Sequence, residues 1–137
     1  GVAIVSDELA AIVRSFADRV WNAGDFTGGE ELFAPGFRHH DLVTHRETDL
    51  TGYFDSIRHQ RWLFPGIRFE ITDAVANHER VASRWMVVGV HAASRRRVTI
   101  HGMSIDRISA GRIDENWTVW DRHGLREQLA GEAGSEQ

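Results

Sequence analysis

The chain contains no cysteine among its 137 residues. Disulfide frameworks, thiolate nucleophiles and cysteine-ligated zinc sites are therefore excluded. No apolar run approaches the length of a membrane-spanning helix, and the N-terminus lacks the basic region and long apolar stretch of a secretory signal. We expect a cytoplasmic protein that does not engage a membrane.

The chain also lacks an excess of positive charge. Its formal net charge is −4 and its pI is near 6.0, which argues against an obligate nucleic-acid binder. A chain of this length fits one domain and can bury about two thirds of its unfolded surface. We expect a single domain over residues 1–137, with a core at about 8–130 and a frayed tail at 131–137.

The first half of the chain carries helical patterns. Apolar residues recur at i, i+3, i+4 and i+7 over residues 9–20, and Ser6 can cap this helix. A capping-box pattern at 27–30 predicts a short helix that Pro35 ends. A third helix is predicted at about 49–63.

The second half changes to the period of β-strands. Four strands are predicted at residues 67–76, 80–91, 98–108 and 112–121, followed by a short helix at 125–130. Helices followed by an antiparallel meander indicate an α+β fold with the helices on one face of the sheet. A strongly curved sheet closed by helices forms a cone, or α+β barrel, around an internal pocket that can hold a small molecule.

The pairing of the last two strands predicts which residues share a face. A three-residue loop at 109–111 places Ile108 opposite Arg112, and the other pairs follow. A two-residue loop would exchange the two sets. One face is mixed polar, as a pocket would be: Ile100, Gly102, Ser104, Asp106, Asp114, Asn116, Thr118 and Trp120. The other includes Ile113 and is centred on Met103, Ile105, Trp117 and Val119; it is either the core under the helices or a face buried against another subunit.

Histidines and an aspartate cluster at His39, His40 and Asp41, with His45 nearby. Strand alternation places His39 and Asp41 on one face and His40 on the other. No further ligand follows at a metal-site spacing, so we expect no bound metal. Asp41 can either face the pocket or cap a turn.

Other polar residues have simple structural explanations. His91 and His101 fit hydrogen-bonded sheet positions better than general bases, and the arginines at 95–97 fit a solvated hairpin tip. Trp62 and Trp85 fit core or interface positions. The sequence has no glycine-rich nucleotide loop, Gly-x-Ser-x-Gly motif or His-Glu-x-x-His motif, so we expect no tightly bound cofactor.

Five local strings then occur in a characteristic order. They are WNAGD at residues 21–25, FRHHD at 37–41, FPGIR at 64–68, RVASRW at 80–85 running on to 91, and GRIDENW at 111–117 followed by Asp121. Over about residues 8–130 the chain resembles the SnoaL-like polyketide cyclase family of the nuclear transport factor 2-like superfamily. The resemblance implies an α+β cone that binds an aromatic polyketide, with a carboxylate that moves a proton during aldol ring closure. Other relatives are steroid isomerases, epoxide hydrolases and members implicated in polyketide hydroxylation.

The resemblance also carries specific residues. Aligned on Arg107 and Ile113, the catalytic aspartate of the cyclases falls on Thr118 and a pocket histidine falls on Ser104; neither can act as a carboxylate base. The base aspartate of the isomerases falls on Asp41, which is retained. The resemblance therefore supports polyketide tailoring more strongly than aldol cyclisation.

We expect an enzyme in which Asp41 takes a proton from an aromatic polyketide, or a related phenol or quinone, to give an enolate or phenolate. Because the cyclase acid is missing, hydroxylation is favoured over cyclisation, with a reductase as a candidate partner. Alternatives are a cyclase and, from another class, a non-catalytic polyketide-binding module. A homodimer packed through its sheet faces is also expected. The candidate site comprises catalytic Asp41, Asn116 and Thr118 and substrate-binding Trp85, His91, His101, Ser104 and Trp120.

Overall fold

The computed structural model describes residues 2–131, with side chains from residue 7 onward. The predicted tail beyond Gly131 lies outside the described residues. Six strands form one curved, open sheet, and helices pack against one of its faces. Within residues 2–131, no helix is long and apolar enough to cross a membrane. The predicted α+β plan is confirmed.

Four α-helices lie within residues 2–131. They are α1 (Val2–Phe16), which continues as a π-helical segment (Ala17–Asn22), α2 (Phe26–Gly29), which continues as a 3-10 turn (Glu30–Leu32), α3 (Leu50–Leu63) and α4 (Arg122–Ala130). The apolar face of α1 is buried, as predicted. This helix begins before Ser6, so the prediction that Ser6 is its N-cap is wrong.

Aspartates cap α2, α3 and α4 through one repeated contact. Each carboxylate accepts the backbone N–H of a glycine three residues later, in the pairs Asp25–Gly28, Asp49–Gly52 and Asp121–Gly124, at 2.8 to 2.9 Å. Such a cap is typically worth about 1 kcal/mol. The predicted capping box at 27–30 is wrong, because Asp25 caps this helix two residues earlier.

The strand order of the sheet is β2-β1-β6-β5-β4-β3. The strands are β1 (Phe33–Asp41), β2 (Arg46–Thr48), β3 (Arg68–Ala76), β4 (Arg80–Val90), β5 (Arg97–Ser109) and β6 (Arg112–Trp120). The four predicted strands are confirmed as β3 to β6. Among these six strands, only β1 and β6 pair in parallel. Pro35 does not end a helix; it lies in β1 where the pairing with β6 is interrupted, so its missing N–H breaks no ladder bond.

The β5–β6 hairpin differs from the predicted one. Its loop is the two residues Ala110 and Gly111, whose φ angles of 51° and 76° suit a type I′ turn. Asp114 is an extra residue that shifts the register, so from Glu115 onward each residue again points to the side of the sheet that was predicted for it. Only the predicted faces of Ile113 and Asp114 are wrong: Ile113 is buried, and Asp114 accepts from Arg107 Nε at 2.9 Å.

Aromatic rings fill the space between sheet and helices. One cluster centres on Phe33, whose ring meets those of Phe16, Phe37 and Phe54 edge to face at 4.7 to 5.4 Å. Residues of a second cluster, which contains Phe69, line the other side of the interior. The opposite sheet face is open: Met103, Ile105 and Val119 are 54%, 44% and 44% exposed.

Candidate functional site

A cavity of about 190 Å³ lies between the sheet and the helices. Its walls are apolar and aromatic, and strands β1, β5 and β6 supply a polar floor. Six of the eight predicted site residues line it: Asp41, Trp85, Ser104, Asn116, Thr118 and Trp120. The structure therefore brings together residues from four strands that are far apart in the chain.

The floor is built from two rows of residues that run across the strands. In the first row His39 lies opposite Asn116, which lies opposite Asp106; in the second, Asp41, Thr118 and Ser104 are aligned in the same way. Residues at every second position of a strand share a face. This alternation points both rows at the cavity.

Asp41 both caps a turn and lines the cavity. Its Oδ1 accepts the backbone N–H groups of Val43 at 2.9 Å and Thr44 at 3.1 Å, so it caps the turn after β1. The indole Nε1 of Trp120 donates to both carboxylate oxygens, at 3.1 and 3.2 Å. The carboxylate is thus fixed at the cavity wall and in turn fixes a tryptophan ring.

A chain of hydrogen bonds connects Trp85, Ser104 and Thr118. Trp85 Nε1 donates to Ser104 Oγ at 2.9 Å, and Ser104 Oγ lies 3.0 Å from Thr118 Oγ1. The two hydroxyl groups share one bond, so one of their two hydrogens stays outside it. That hydrogen can be donated to an oxygen of a bound molecule.

Gly102 allows the Trp85 ring to lie against the sheet. A Cβ at position 102 would lie 2.2 Å from Cζ2 and 2.3 Å from Cη2 of Trp85. No side chain fits there without moving the indole. The glycine therefore sets the shape of the cavity wall.

We expect Gly102→Ala to displace Trp85, break its bond to Ser104 and destabilise the protein by about 1 to 3 kcal/mol. Urea unfolding with tryptophan fluorescence measures both effects. Gly36→Ala is the matched control, because a Cβ at that strand position meets no atom within 4 Å. An unchanged midpoint and emission spectrum for Gly102→Ala would contradict this account of the wall.

A buried polar network forms the first row. Asn116 Nδ2 donates to Asp106 Oδ1 at 3.0 Å, and Asn116 Oδ1 lies 2.7 Å from His39 Nδ1. Since an amide oxygen accepts, His39 carries its hydrogen on Nδ1. The ring of Tyr53 stacks on His39 at 4.0 Å between centroids.

Burial dominates the ionisation of this network. It raises the pKa of Asp106 to about 6 against the opposing effect of the Asn116 hydrogen bond. It also lowers the pKa of His39 and raises that of Tyr53. At neutral pH the imidazole and the phenol are therefore uncharged.

Sequence reasoning placed Asp106 on this face but did not select it as a functional residue, and it missed Tyr53. Asp106 is only 3% exposed, yet a charged residue between Ile105 and Arg107 resembles an ordinary solvated strand position. The alternation of the hairpin was the available signal. The burial that distinguishes it comes from distant helices.

The structure does not bring His91 and His101 into the site. His101 is exposed on the opposite sheet face, as its odd position on β5 requires. His91 follows the end of β4, where its Nδ1 lies 2.8 Å from Ser94 Oγ and its ring packs near Phe64. His40 lies on the outer face, where its Nε2 is 2.6 Å from Oε2 of Glu115.

One donor in the cavity wall is poorly satisfied. The indole Nε1 of Trp21 is buried and makes no hydrogen bond of standard geometry among the described residues; it faces the phenol of Tyr53, whose pKa it lowers against the larger effect of burial. Trp21 lines the cavity and stacks on Phe69. An orphaned buried donor is costly, and an oxygen of a bound molecule would satisfy it.

Metal ligands are not gathered in the described part of the chain. Over residues 2–131, no three histidine, aspartate or glutamate side chains are placed to hold an ion. The carboxyl groups of the cavity are instead held by amide and indole donors.

Solved structures of similar fold were found. AclR, a proposed hydroxylase from Streptomyces galilaeus, is 22% identical over 92% of this chain and 83% of its own, with a TM-score of 0.82. IdmH, a proposed polyketide cyclase from Streptomyces antibioticus, is 23% identical over 89% of this chain and 98% of its own, with a TM-score of 0.83. A SnoaL-like polyketide cyclase from Agrobacterium tumefaciens C58 is 22% identical over 88% of this chain and 97% of its own, with a TM-score of 0.75. At these identities the likeness shows the fold.

The family assignment comes from the sequence match. No curated protein matches the chain. The family model described as SnoaL-like polyketide cyclase matches residues 11–129, which span the cavity and every strand. The chain belongs to the SnoaL-like polyketide cyclase family.

Proposed function

We propose that this protein is an aromatic-polyketide tailoring enzyme that forms an enolate or phenolate of its substrate inside the cavity. The observation that carries the proposal is the cavity itself, an apolar chamber with two carboxyl groups in different environments. Asp41 is held by three N–H donors, whereas Asp106 is buried beside an amide. Carboxyl groups in contrasting environments suit opposite roles in proton transfer.

The aromatic walls support a flat, polycyclic substrate. Phe69 stacks between Trp21 and Trp85, with ring centroids 5.2 and 4.9 Å apart. Trp120 lies on the same side as Asp41. Such surfaces favour fused rings by stacking and apolar burial.

Asp41 is the proposed base. Its fixed carboxylate would remove a proton from a carbon between two carbonyls, or from a phenol. The free hydroxyl hydrogen of the Ser104–Thr118 pair and the indole N–H of Trp21 would donate to the oxygen where negative charge develops. This division of roles needs no tightly bound cofactor.

Two outcomes follow from one enolate. Attack on a ketone closes a ring. The sequence alone favoured hydroxylation, and we now place ring closure first because the cavity contains a second carboxyl group that can supply a proton. Hydroxylation by dioxygen is the second candidate, with a reductase supplying two electrons; Thr118 supports it, since that position holds no acid. A binding module without turnover is the remaining alternative.

The test is incubation with an anthraquinone-type polyketide intermediate that retains an acidic carbon, in ordinary and deuterated water, followed by mass spectrometry. We expect enzyme-dependent deuterium exchange at that carbon together with conversion. Ring closure leaves the mass unchanged or lowers it by one water, whereas hydroxylation adds one oxygen. Tight binding without exchange or conversion, even with a reductase present, would identify a binding module.

The open sheet face supports a homodimer. Met103, Ile105 and Val119 form an exposed apolar patch on it, and the Trp117 ring stacks on His40 beside them. Patches of this kind usually mark an interaction surface.

We expect a dimer at micromolar concentration in sedimentation analysis, and we expect Val119→Arg to dissociate it. Val75→Arg is the matched control, because that valine is exposed on the distant edge strand β3. A wild-type protein that sediments as a monomer would remove this part of the proposal.

A further inference from the structure

Resting on the enzymatic role proposed above, we propose that Asp106 is a second catalytic residue, a general acid that gives a proton to a substrate oxygen at the buried end of the cavity. The resemblance places the acid of the cyclases at Thr118. Asp106 lies on the neighbouring strand, opposite Asn116 and one row away from Thr118. The acid would thus have a different position in this chain.

The placement of Asp106 gives it access to the cavity alone. It lines the cavity and is 3% exposed. Its pairing partners Val81 and Asn116 are buried as well. This carboxyl group can therefore give its proton directly only to a molecule inside the cavity.

The network fixes Asp106 and leaves one of its carboxyl oxygens without a hydrogen bond from the described residues. From the described residues the carboxyl group receives one hydrogen bond, from Asn116 Nδ2. Asn116 is in turn fixed by His39, which Tyr53 holds by stacking. By contrast, Asp41 receives three donors. Asp106 is oriented, and a proton on its second oxygen can still be donated.

Among the described side chains, no positive charge compensates that of Asp106, whose pKa responds only to burial and to the Asn116 hydrogen bond. Tyr53 from α3 faces Asp106, and His39 and Asp41 of β1 are titratable groups that line the same cavity. Burial keeps His39 and Tyr53 uncharged near neutral pH, and α1 contributes the apolar Val13 and Phe16 to the same cavity. The pKa of Asp106 is raised to about 6 by burial, so a substantial fraction is protonated in mildly acidic solution.

The ring closure balances with two carboxyl groups. Asp41 removes a proton from the acidic carbon, the resulting enolate carbon bonds to a ketone carbon, and the carbonyl electron pair moves onto its oxygen. That oxygen takes the proton of Asp106. Water then carries the proton from Asp41 to Asp106, and the net change is an isomerisation. Asp41 and Asp106 lie on strands that are separated by β6, and their rows are two residues apart along the strands. Their Cα atoms are therefore roughly 12 Å apart, which leaves room for rings between the two carboxyl groups.

Asp106→Asn tests the role with little structural change, because the introduced amide oxygen can still accept from Asn116 Nδ2. We expect kcat to fall by about 100-fold or more while substrate binding stays within a few-fold. The alkaline limb of the wild-type pH profile, near pH 6, should disappear. Deuterium exchange should persist, because Asp41 is intact. Asp114→Asn, on the outer face of the same hairpin, should match the wild type.

The failures are distinguishable. Absence of exchange and conversion in the wild-type protein overturns the proposed function and the acid role with it. Conversion that persists in Asp106→Asn at the wild-type rate and pH profile overturns the acid role alone. If the variant does not fold by circular dichroism, the wild-type profile decides: a rate independent of pH between 5 and 8 overturns the acid role.

Discussion

Asp106→Asn is expected to make the folded protein more stable at pH 8, although it alters a buried, hydrogen-bonded residue. Burial raises the pKa of Asp106 from its usual 3.8 to about 6. The folded state then holds the proton more tightly than the unfolded chain, so wild-type stability falls as pH rises from about 4 to 6 and stays lower above that. The full cost is about 3 kcal/mol. The asparagine does not ionise and escapes this cost.

Urea unfolding at several pH values measures the difference. The gain in the free energy of unfolding for Asp106→Asn should be near zero at pH 4, grow through pH 5 and 6, and level off above pH 7. Asp114→Asn should show no such gain, because its carboxylate is partly exposed and paired with Arg107. A variant that is equally or less stable than the wild type at pH 8 would show that Asp106 is not desolvated. Residues that cost stability are frequently retained for function.

Asp41→Asn is expected to lower turnover by at least about 100-fold and to abolish deuterium exchange. An asparagine oxygen can still accept from Val43 and Thr44, so the turn is kept. Its amide nitrogen cannot accept a proton from substrate and would replace one of the two oxygens to which Trp120 Nε1 donates. The loss of that acceptor should cost about 1 kcal/mol of stability.

Trp120→Phe separates the two effects of Asp41. It removes the indole donor and leaves the carboxylate and its two backbone contacts in place. We expect a rate loss below about tenfold and continued exchange, in contrast to Asp41→Asn. Equal losses in both variants would mean that Asp41 acts by positioning Trp120, and a near wild-type rate in Asp41→Asn would remove the base from the mechanism.

Local sequence patterns accounted for most of the elements. The helices α3 and α4 and the strands β3 to β6 follow from periodicity and from signals close in the chain. The three-residue strand β2 and the parallel pairing of β1 with β6 were not predicted, because they depend on partners distant in sequence. The bulge at Asp114 was missed for a related reason: a two-residue turn and a later extra residue cancel in the alternation, so the wrong loop length still gave the right inner face.

The site shows the same division. Alternation along β1, β5 and β6 was enough to bring Asp41, Ser104, Asn116 and Thr118 to one surface. It could not select Asp106, whose burial depends on helices packed from elsewhere. It also could not exclude His91, whose strand ends one residue too early.

The parallel pairing of β1 with β6 has a consequence for how the molecule assembles. The strands β3 to β6 form by successive neighbouring pairings, but β1 waits for β6, which is the last of the described strands to be synthesised. His39 and Asn116, which meet in the first row, are separated by 77 positions, and contacts of that sequence distance close slowly. During synthesis α1 to α3 and strands β3 to β5 can form first, while the two rows that join His39 and Asp41 to β6 are completed only after β6 has left the ribosome. The polar floor of the cavity is therefore completed last.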